Sequence, residues 1–257
     1  MKLSFFSICA ALSLALTPTV QAATFTVIPN ADAFVATGPT GNLSGDNFGA
    51  AGALALSASG LPQGEFQTVM RFDLSSAFNS FNAQYGVGQW SIQSVSLQLT
   101  SSPHNNAIFN NIAVGQFGVS LMQNNSWTEG TGTGGIPTTD GISFNSLQNT
   151  YVNPSLDQGL GTFNFPGGSS GANTYSLGLT SGLDADILDG GQLSLRLFAA
   201  DANASYLFSS RTTGGAAPEL IITVVPEPGT IALGVLGLAV CSLFRSGFLP
   251  KAGSIAA

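Results

Sequence analysis

The sequence is poor in charge, and poorest in positive charge. Asp, Glu, Lys and Arg make up 7% of the 257 residues, and the net charge at neutral pH is −7. Between Ala23 and Val224 there is no lysine, and three arginines stand against twelve acids, which gives this central span a net charge of −9. Such a surface repels phosphate backbones and anionic lipid head groups, so the composition argues against a nucleic-acid partner.

Cysteine is absent from the same span, because Cys9 and Cys241 both lie in apolar segments near the chain ends. The span therefore has no disulfide, thiolate nucleophile or thiolate metal ligand to use. The chain has one histidine, His104, in a Ser-Ser-Pro-His-Asn-Asn turn. We expect core packing and sheet hydrogen bonds to stabilise the fold, with a structural Ca²⁺ as an additional option.

Most of the central span alternates apolar and polar residues, which is the period of half-buried β-strands. The clearest runs are Val95-Leu97-Leu99, Phe117-Val119-Leu121, Leu193-Leu195-Leu197 and Leu220-Ile222-Val224. Shorter strands are predicted over residues 25–27, 54–56, 69–72 and 206–208, and short helices over residues 75–84 and 183–188. The pattern predicts an all-β fold, an antiparallel two-sheet, jelly-roll-like sandwich of roughly ten strands.

Residues 1–22 have the features of a secretory signal peptide with a signal helix. Lys2 supplies the positive start, residues 3–16 form the apolar core, and Val20-Gln21-Ala22 offers small residues for cleavage. Two alternatives are a retained membrane anchor and a lipoprotein signal at Cys9. The signal-peptide interpretation predicts that the chain is exported.

The other end of the chain combines a proline-bracketed acid with a second apolar segment. Val225-Pro226-Glu227-Pro228-Gly229 is followed by an apolar run over residues 230–244 and then by Arg245 and Lys251. As a helix the run spans roughly 22 Å at ~1.5 Å per residue, somewhat less than the ~30 Å core of a bilayer. Residues 231–240 leave no polar face for solvent, which favours a transmembrane-type helix over a buried terminal helix.

This C-terminal arrangement resembles the PEP-CTERM sorting signal of Gram-negative bacteria. The resemblance rests on Val225, Pro226, Glu227 and Pro228, on the apolar run behind them, and on Arg245. It implies that the membrane holds the chain through its C-terminal helix until an exosortase-type enzyme processes the tail. The chain departs from the family in having a single arginine after the apolar run, where the family has an arginine cluster.

Within the central span, short motifs follow one another in the order found in DNRLRE-type domains, which this span resembles. Among them are Ala31-Asp32-Ala33-Phe34-Val35, Asn47-Phe48-Gly49, Arg71-Phe72-Asp73-Leu74-Ser75, Trp127-Thr128-Glu129-Gly130-Thr131 and Phe208-Ser209-Ser210-Arg211. The resemblance implies a β-sandwich related to carbohydrate-binding modules, carried by secreted bacterial proteins.

Two glycine-rich tracts match catalytic or nucleotide-binding patterns in letters alone. Residues 167–171 fit G-x-S-x-G, but a hydrolase nucleophile also needs a following helix and a histidine base. Residues 130–135 fit G-x-G-x-x-G, but Ile136-Pro137 follows where a dinucleotide site needs a helix. Both tracts are predicted to be loops.

A few side chains remain as weak site candidates. Asp184, Asp186 and Asp189 form the densest acid cluster, which suits a hard cation or a solvated helix face. Trp127 lies in a polar stretch and could stack on a sugar ring, although most sandwich tryptophans are in the core. Glu65 and Glu129 could act as paired carboxylates in glycoside hydrolysis.

Two of the three arginines in the central span are interpreted as structural. Arg71 and Arg211 are expected to form ion pairs or to bind loop carbonyls. Arg196, between Leu195 and Leu197, is expected to point outward to solvent.

The sequence thus divides into a signal peptide (1–22), a sandwich (23–224), a motif and linker (225–229) and a sorting helix with a weakly basic tail (230–257). We expect an exported protein, anchored in the membrane in transit and then at the cell surface or extracellular. Its expected role is structural or adhesive, with weak binding of extracellular polysaccharide and no assigned catalytic residue or cofactor. The alternative is a polysaccharide lyase or glycoside hydrolase built on the sandwich.

Overall fold

A computed structural model describes residues 21–102, 108–109, 113–168, 170–214 and 216–227. Nearly all of the predicted signal peptide, and the predicted sorting helix with Arg245, lie outside the described residues. No helix in the described part of the chain has the length and apolar character needed to cross a membrane.

The described part contains eleven strands and three short helical segments. The strands are β1 (Ala23–Val27), β2 (Ala31–Ala36), β3 (Ala53–Ser57), β4 (Phe66–Asp73), β5 (Trp90–Thr100), β6 (Gly115–Met122), β7 (Gln158–Phe165), β8 (Ala172–Leu177), β9 (Gln192–Ala199), β10 (Ser205–Ser209) and β11 (Glu219–Pro226). The helices are α1 (Ser75–Tyr85), α2 (Phe144–Ser146), which continues as a π-helix over Leu147–Tyr151, and α3 (Ser181–Asp189). Every predicted strand and both predicted helices are present.

The strands form two antiparallel sheets that face each other. One sheet has four strands in the order β1-β11-β5-β8. The other has seven strands. Six of them follow the order β10-β3-β4-β9-β6-β7, and the seventh, β2, pairs with β4. The predicted antiparallel two-sheet sandwich is therefore confirmed.

The main core lies between the sheets and follows the predicted alternation. On β5, Val95, Leu97 and Leu99 are at most 1% exposed, while Ser94 on the opposite face is exposed. The other alternating runs pack against them across the sandwich. Burying one such side chain contributes ~1.5–3 kcal/mol, so this interface is the main source of stability.

The seven-stranded sheet is covered on its outer face as well. The chain between β6 and β7, residues 123–157, which we call the cover segment, lies over this face. Its apolar residues form a second cluster with β2, β4 and β6, made of Ala31, Ala33, Val35, Val69, Met122, Trp127, Ile142 and Leu147. The outer face of this sheet therefore forms a second core with the cover segment instead of facing solvent.

Arg196 on β9 shows the consequence, and its predicted position in open solvent is wrong. The residue is half-buried, its Nε donates to Gln67 Oε1 at 2.7 Å, and its guanidinium lies 4.9 Å from the Phe198 ring. Burial lowers the pKa of Arg196 from its usual range. Strand alternation predicted the correct face, but not that another segment covers it.

Helix α1 closes one end of the sandwich between β4 and β5. Asp73 Oδ1 accepts a hydrogen bond from the Ser75 N–H at 3.0 Å, which satisfies a donor at the start of the helix. Phe81 is buried with its ring 5.2 Å from that of Trp90. Gly190, just after α3, has a φ of 64°, and a Cβ there would overlap Phe78 of α1. The two helices therefore pack closely at this end, which we call the α1 end.

The sandwich runs two residues beyond the predicted boundary at Val224. Val225 pairs with Ser91 and Pro226 with Trp90, and the Glu227 N–H donates to Gln89 O at 2.9 Å. Because β1 pairs with β11 only as far as Val224, the last two residues have one neighbouring strand. Proline is tolerated there because no second strand needs its missing N–H.

Candidate functional site

The cover segment is anchored by Trp127, which lies in the core and not on the surface. Its side chain is 1% exposed and its Nε1–H donates to Ser194 Oγ on β9 at 3.0 Å. The Arg71 guanidinium carbon lies 5.0 Å from the ring centroid, on one face. The ring therefore has no face open to a sugar, and the stacking hypothesis for Trp127 is not carried further.

Arg71 on β4 holds the backbone on either side of that tryptophan. Its Nη1 donates to Trp127 O at 2.7 Å and to Asn125 O at 3.0 Å. The predicted bonding of Arg71 to loop carbonyls is confirmed.

Asn47 joins the cover segment to the loop before β3. Its side chain is buried, and Nδ2 donates to Glu129 O at 2.6 Å and to Ile142 O at 2.8 Å. Its Oδ1 accepts from the N–H groups of Gly49 and Gly132, both at 3.1 Å. All the hydrogen-bonding capacity of the amide is thus used by backbone groups of three segments.

The tract over residues 130–135 is a loop, as predicted, and its first half is packed tightly. Gly132 is buried, and a Cβ there would overlap the Asn47 carbonyl oxygen. Asp140 accepts hydrogen bonds from the hydroxyls of Thr138 and Thr131 and from the Thr131 N–H, and these bonds lower the pKa of Asp140 to about 2. Glycine serves close packing here, and no phosphate-binding helix follows.

Glu129 and Arg211 form an ion pair with two hydrogen bonds. Arg211 Nη2 donates to Glu129 Oε2 at 2.6 Å and Nε donates to Oε1 at 3.0 Å. The Arg211 side chain is 33% exposed and that of Glu129 is 18% exposed, so the pair is partly desolvated. It is the only salt bridge among the described residues, and it confirms the structural role predicted for Arg211.

Asp32 on β2 forms hydrogen bonds with both members of this ion pair. Its Oδ2 accepts from the Arg211 N–H at 2.7 Å, and its own N–H donates to Glu129 Oε1 at 3.1 Å. The side chain is 1% exposed and its Oδ1 has no hydrogen-bond partner. Burial raises the pKa of Asp32 to about 6, the Arg211 N–H opposes this rise, and the negative charge of Glu129 adds to it.

The short motifs that were far apart in the sequence therefore meet around one buried network. Asp32, Asn47, Arg71, Glu129 and Arg211 all hold the cover segment or the turn after β10 in place. The bond between Asp32 and Arg211 joins residues 179 positions apart. The network acts as a scaffold, and what it supports is the outer surface of the cover segment.

Replacing Arg211 with lysine tests the ion pair. An ammonium cannot reproduce the two parallel N–H donors of the guanidinium. We expect Arg211→Lys to lower the free energy of unfolding by about 1–2 kcal/mol in chemical denaturation. Arg71→Lys serves as a comparison. A denaturation midpoint for Arg211→Lys equal to that of the natural chain would show that the ion pair is not stabilising.

The surface of the cover segment carries an open cleft of about 550 Å³. Its eight lining residues are Gln123, Asn124, Asn125, Ser126, Thr150, Tyr151, Asn153 and Leu156. Four of them are amides, two carry aliphatic hydroxyls, one is aromatic and none is charged. The cleft thus places neutral polar side chains beside one aromatic ring. The amide of Asn125 is turned inward, where its Nδ2 donates to Gln192 O, and Asn124 and Asn153 each use their Oδ1 within the chain.

The two walls of the cleft are held together by Asp157. Its Oδ1 accepts from the Gln123 N–H at 3.1 Å and its Oδ2 from the Asn153 N–H at 2.9 Å. Tyr151 is half-buried against the second core cluster, which fixes the position of its ring. Sequence reasoning missed this cleft, although the amide run at residues 123–125 was a visible signal.

Asp184, Asp186 and Asp189 on α3 are not brought together as a group of metal ligands. Asp184 and Asp186 each have one buried oxygen without a hydrogen-bond partner, and burial raises the pKa of Asp186 to about 6, with a smaller contribution from Asp189. Among the described residues, no group of three or more His, Cys, Asp or Glu side chains is placed to hold a metal ion. The predicted Ca²⁺ site is therefore not found on this helix.

The remaining predicted residues are dispersed. Glu65 accepts a hydrogen bond from Gln67 beside β4. The tract at residues 167–171 joins β7 to β8, with Ser169 outside the described residues, as is His104. Of the sorting motif, Val225 and Pro226 end β11 and Glu227 follows, while Pro228 and Arg245 are not described.

Comparison with known proteins found no family model that matches this chain and no curated protein with significant similarity to it. The two resemblances drawn from the sequence therefore stay predictions. The chemistry of the site rests on the residues that line it.

Proposed function

We propose that this chain is an exported protein of the cell surface or extracellular matrix whose sandwich binds neutral polysaccharide without cleaving it. The observation that carries the proposal is the composition of the cleft on the cover segment. Sugar hydroxyls both donate and accept hydrogen bonds, and so do the side-chain amides of Asn and Gln. Tyr151 offers an aromatic surface to the apolar face of a sugar ring.

Charge favours a neutral polysaccharide over an anionic one. The lining side chains carry no cation that could pair with a uronate or sulfate group. The acidic surface of the domain would also repel a polyanion. The open shape suits a chain that passes through the site rather than a small molecule that is enclosed.

The outer face of the four-stranded sheet supports a role in a matrix. Most of its side chains are Ser, Thr and Gln, with Glu219 and Ile221 among them, and Thr24 and Thr223 share a hydrogen bond across β1 and β11 at 2.9 Å. Gln98 on β5 donates to Glu219 Oε2 at 3.1 Å. A polar face of this kind is suited to a hydrated polysaccharide layer.

The strand order also supports a jelly-roll-like arrangement, with β1-β11-β5-β8 facing β4-β9-β6-β7.

The proposed export and sorting rest on the two ends of the chain. The signal peptide and the tail that resembles a PEP-CTERM signal support delivery through the inner membrane, retention by the C-terminal helix and processing by an exosortase-type enzyme. Membrane fractionation of the full chain, compared with a chain ending at Glu227 and with both made in a host without an exosortase-type enzyme, tests the retention. Equal recovery of both chains in the soluble fraction would contradict it.

One observation favours an enzyme as the second candidate. Asp32 and Glu129 are neighbouring carboxylates, and the pKa of Asp32 is raised to about 6, as expected of a general acid. Against this, Asp32 is buried and Glu129 is paired with Arg211. A polysaccharide lyase or glycoside hydrolase would need this network to open to substrate.

A glycan array with the fragment 21–227, read beside a reducing-sugar assay, separates the two candidates. We expect binding to neutral polysaccharides and no sugar release. Sugar release that is lost in Glu129→Gln would favour the enzyme. Absence of binding to every neutral glycan would contradict the proposed site.

Substitutions in the cleft locate the binding. We expect Tyr151→Ala to weaken binding roughly tenfold, because an aromatic contact is worth about 1 kcal/mol or more. Asn153→Ala should weaken it roughly three- to tenfold through a lost hydrogen bond. Asn149→Ala is the matched control, since Asn149 is an exposed amide on the same segment but does not line the cleft. Equal effects of Asn153→Ala and Asn149→Ala would place the binding elsewhere.

A further inference from the structure

Both ends of the sandwich leave it at the same place. Ala23, the first residue of β1, pairs with Val224 near the end of β11. The Tyr85 hydroxyl at the end of α1 donates to Gln21 O at 2.7 Å. The two apolar segments predicted from the sequence are therefore joined to the sandwich at its α1 end.

We propose that the α1 end of the sandwich faces the lipid bilayer and that the turn between α1 and β5, residues 86–89, lies against the lipid head groups. The proposal rests on the proposed membrane segment over residues 230–244. It adds an orientation of the domain, and it gives the α1 end a role as a membrane-contact surface.

The length of the tether carries the proposal. The Glu227 N–H is still hydrogen-bonded to the sandwich, and the apolar run begins at Thr230. Three residues reach at most about 10 Å even when fully extended, at ~3.3–3.6 Å each. The head-group layer on each side of a bilayer is itself roughly 5–8 Å deep. The last residues of β11 must therefore lie at the membrane surface.

The turn proposed to meet the lipid is uncharged, although α3 places acids elsewhere at this end. From Leu74 to Ser91 the chain has no charged residue, although the sandwich as a whole is strongly acidic. Val87, at the tip of the turn, is 80% exposed. The end of α3, at Gly190, packs against Phe78, and the seven residues from Phe78 to the end of α1 at Tyr85 span roughly 10 Å at ~1.5 Å per residue. Glu227, whose N–H donates to Gln89 O, is an acid that lies beside the turn.

Fluorescence quenching by spin-labelled lipid tests this orientation. The chain without its predicted signal peptide, residues 23–257, retains every strand and, with Cys241→Ser, carries no cysteine. Single probes are attached through Val87→Cys or through Ser59→Cys, and the protein is reconstituted into phosphatidylcholine vesicles containing doxyl-labelled lipid. Ser59 is the control, because it is exposed in the turn between β3 and β4, at the opposite end from α1.

We expect at least a threefold stronger quenching at position 87 than at position 59. Equal quenching at the two positions, or stronger quenching at 59, would overturn the orientation. Failure of both labelled chains to bind vesicles would instead overturn the membrane segment on which the proposal rests.

A spacer then tests the tether. Twelve Gly/Ser residues inserted between Gly229 and Thr230 have an average reach of roughly 19 Å, enough to release the domain from the surface. We expect quenching at position 87 to fall to the level at position 59. Quenching that is unchanged by the spacer would contradict the role of the short tether.

Discussion

Replacing Trp127 with alanine is expected to lower the free energy of unfolding by about 3–5 kcal/mol, the usual cost of emptying a buried tryptophan site. The side chain is fully buried in the second core cluster, donates to Ser194 and lies against Arg71. A loss of this size is a large part of the ~5–15 kcal/mol that stabilises a typical domain. Denaturant unfolding, followed by circular dichroism, measures it.

Trp127→Phe is the matched control for this substitution. It keeps most of the apolar volume and removes the indole N–H that bonds Ser194, so a smaller loss of about 1–2 kcal/mol is expected. An unfolding free energy that is unchanged in Trp127→Ala would contradict the core position of this residue. Loss of glycan binding in a Trp127→Ala protein of full stability would restore the sugar-stacking hypothesis.

The sandwich is expected to be more stable in mild acid than at neutral pH. Asp32 has a pKa of about 6 in the fold against an ordinary value of 3.8, so the folded state binds more protons than the unfolded chain between these values. Stability therefore falls by about 3 kcal/mol as the pH rises through this window. The raised pKa of Asp186 acts in the same direction.

Asp140 sets the acid limit, because its pKa is lowered to about 2. Its contribution to stability is present above its ordinary pKa and is lost as the pH falls towards 2. Together these residues place maximum stability at about pH 4–5. Thermal unfolding from pH 3 to pH 8 measures the profile.

Asp32→Asn should flatten this profile. The amide oxygen can still accept the Arg211 N–H, and the buried charge is gone. We expect the variant to be about 1–3 kcal/mol more stable than the natural chain at pH 7.5 and nearly equal to it at pH 4.5. Asp46→Asn, which removes one charge from a half-exposed position, is the matched control. A variant with the natural pH profile would show that Asp32 is not its cause.

Strand alternation predicted the sheets well because the four-stranded sheet has one face in the core and one in solvent. Val95 and Leu97 point inward and their polar neighbours outward, so a period of two identifies both faces. The same rule was incomplete on the seven-stranded sheet. Ser120 and Met122 on β6 are both buried because the cover segment shields the outer face.

The position of Trp127 was not predictable from its polar neighbours. Ser126 and Thr128 are exposed while the tryptophan between them is buried, and this inward turn depends on Arg71 and Ser194, which are far away in sequence. The order of short motifs identified the residues of the buried network. It did not show that their role is to hold the cover segment.

The cleft was only half visible in the sequence. Its first wall is a contiguous run of three amides and a serine at residues 123–126, whereas the second wall, at residues 150–156, is brought beside it by Asp157. A carboxylate that joins two backbone N–H groups 30 residues apart leaves no sequence pattern. Composition could suggest polar contact with sugars, but only the fold could place it.

A titration of ¹⁵N-labelled fragment 21–227 with neutral oligosaccharides, followed by NMR, tests the central claim most directly. Side-chain NH₂ signals report on amides one by one. The proposed site predicts concentration-dependent shifts of the signals from Gln123, Asn124 and Asn153, with those of Asn79 and Asn149 unchanged. Shifts confined to residues outside the cleft, or no shifts with any neutral oligosaccharide, would contradict it.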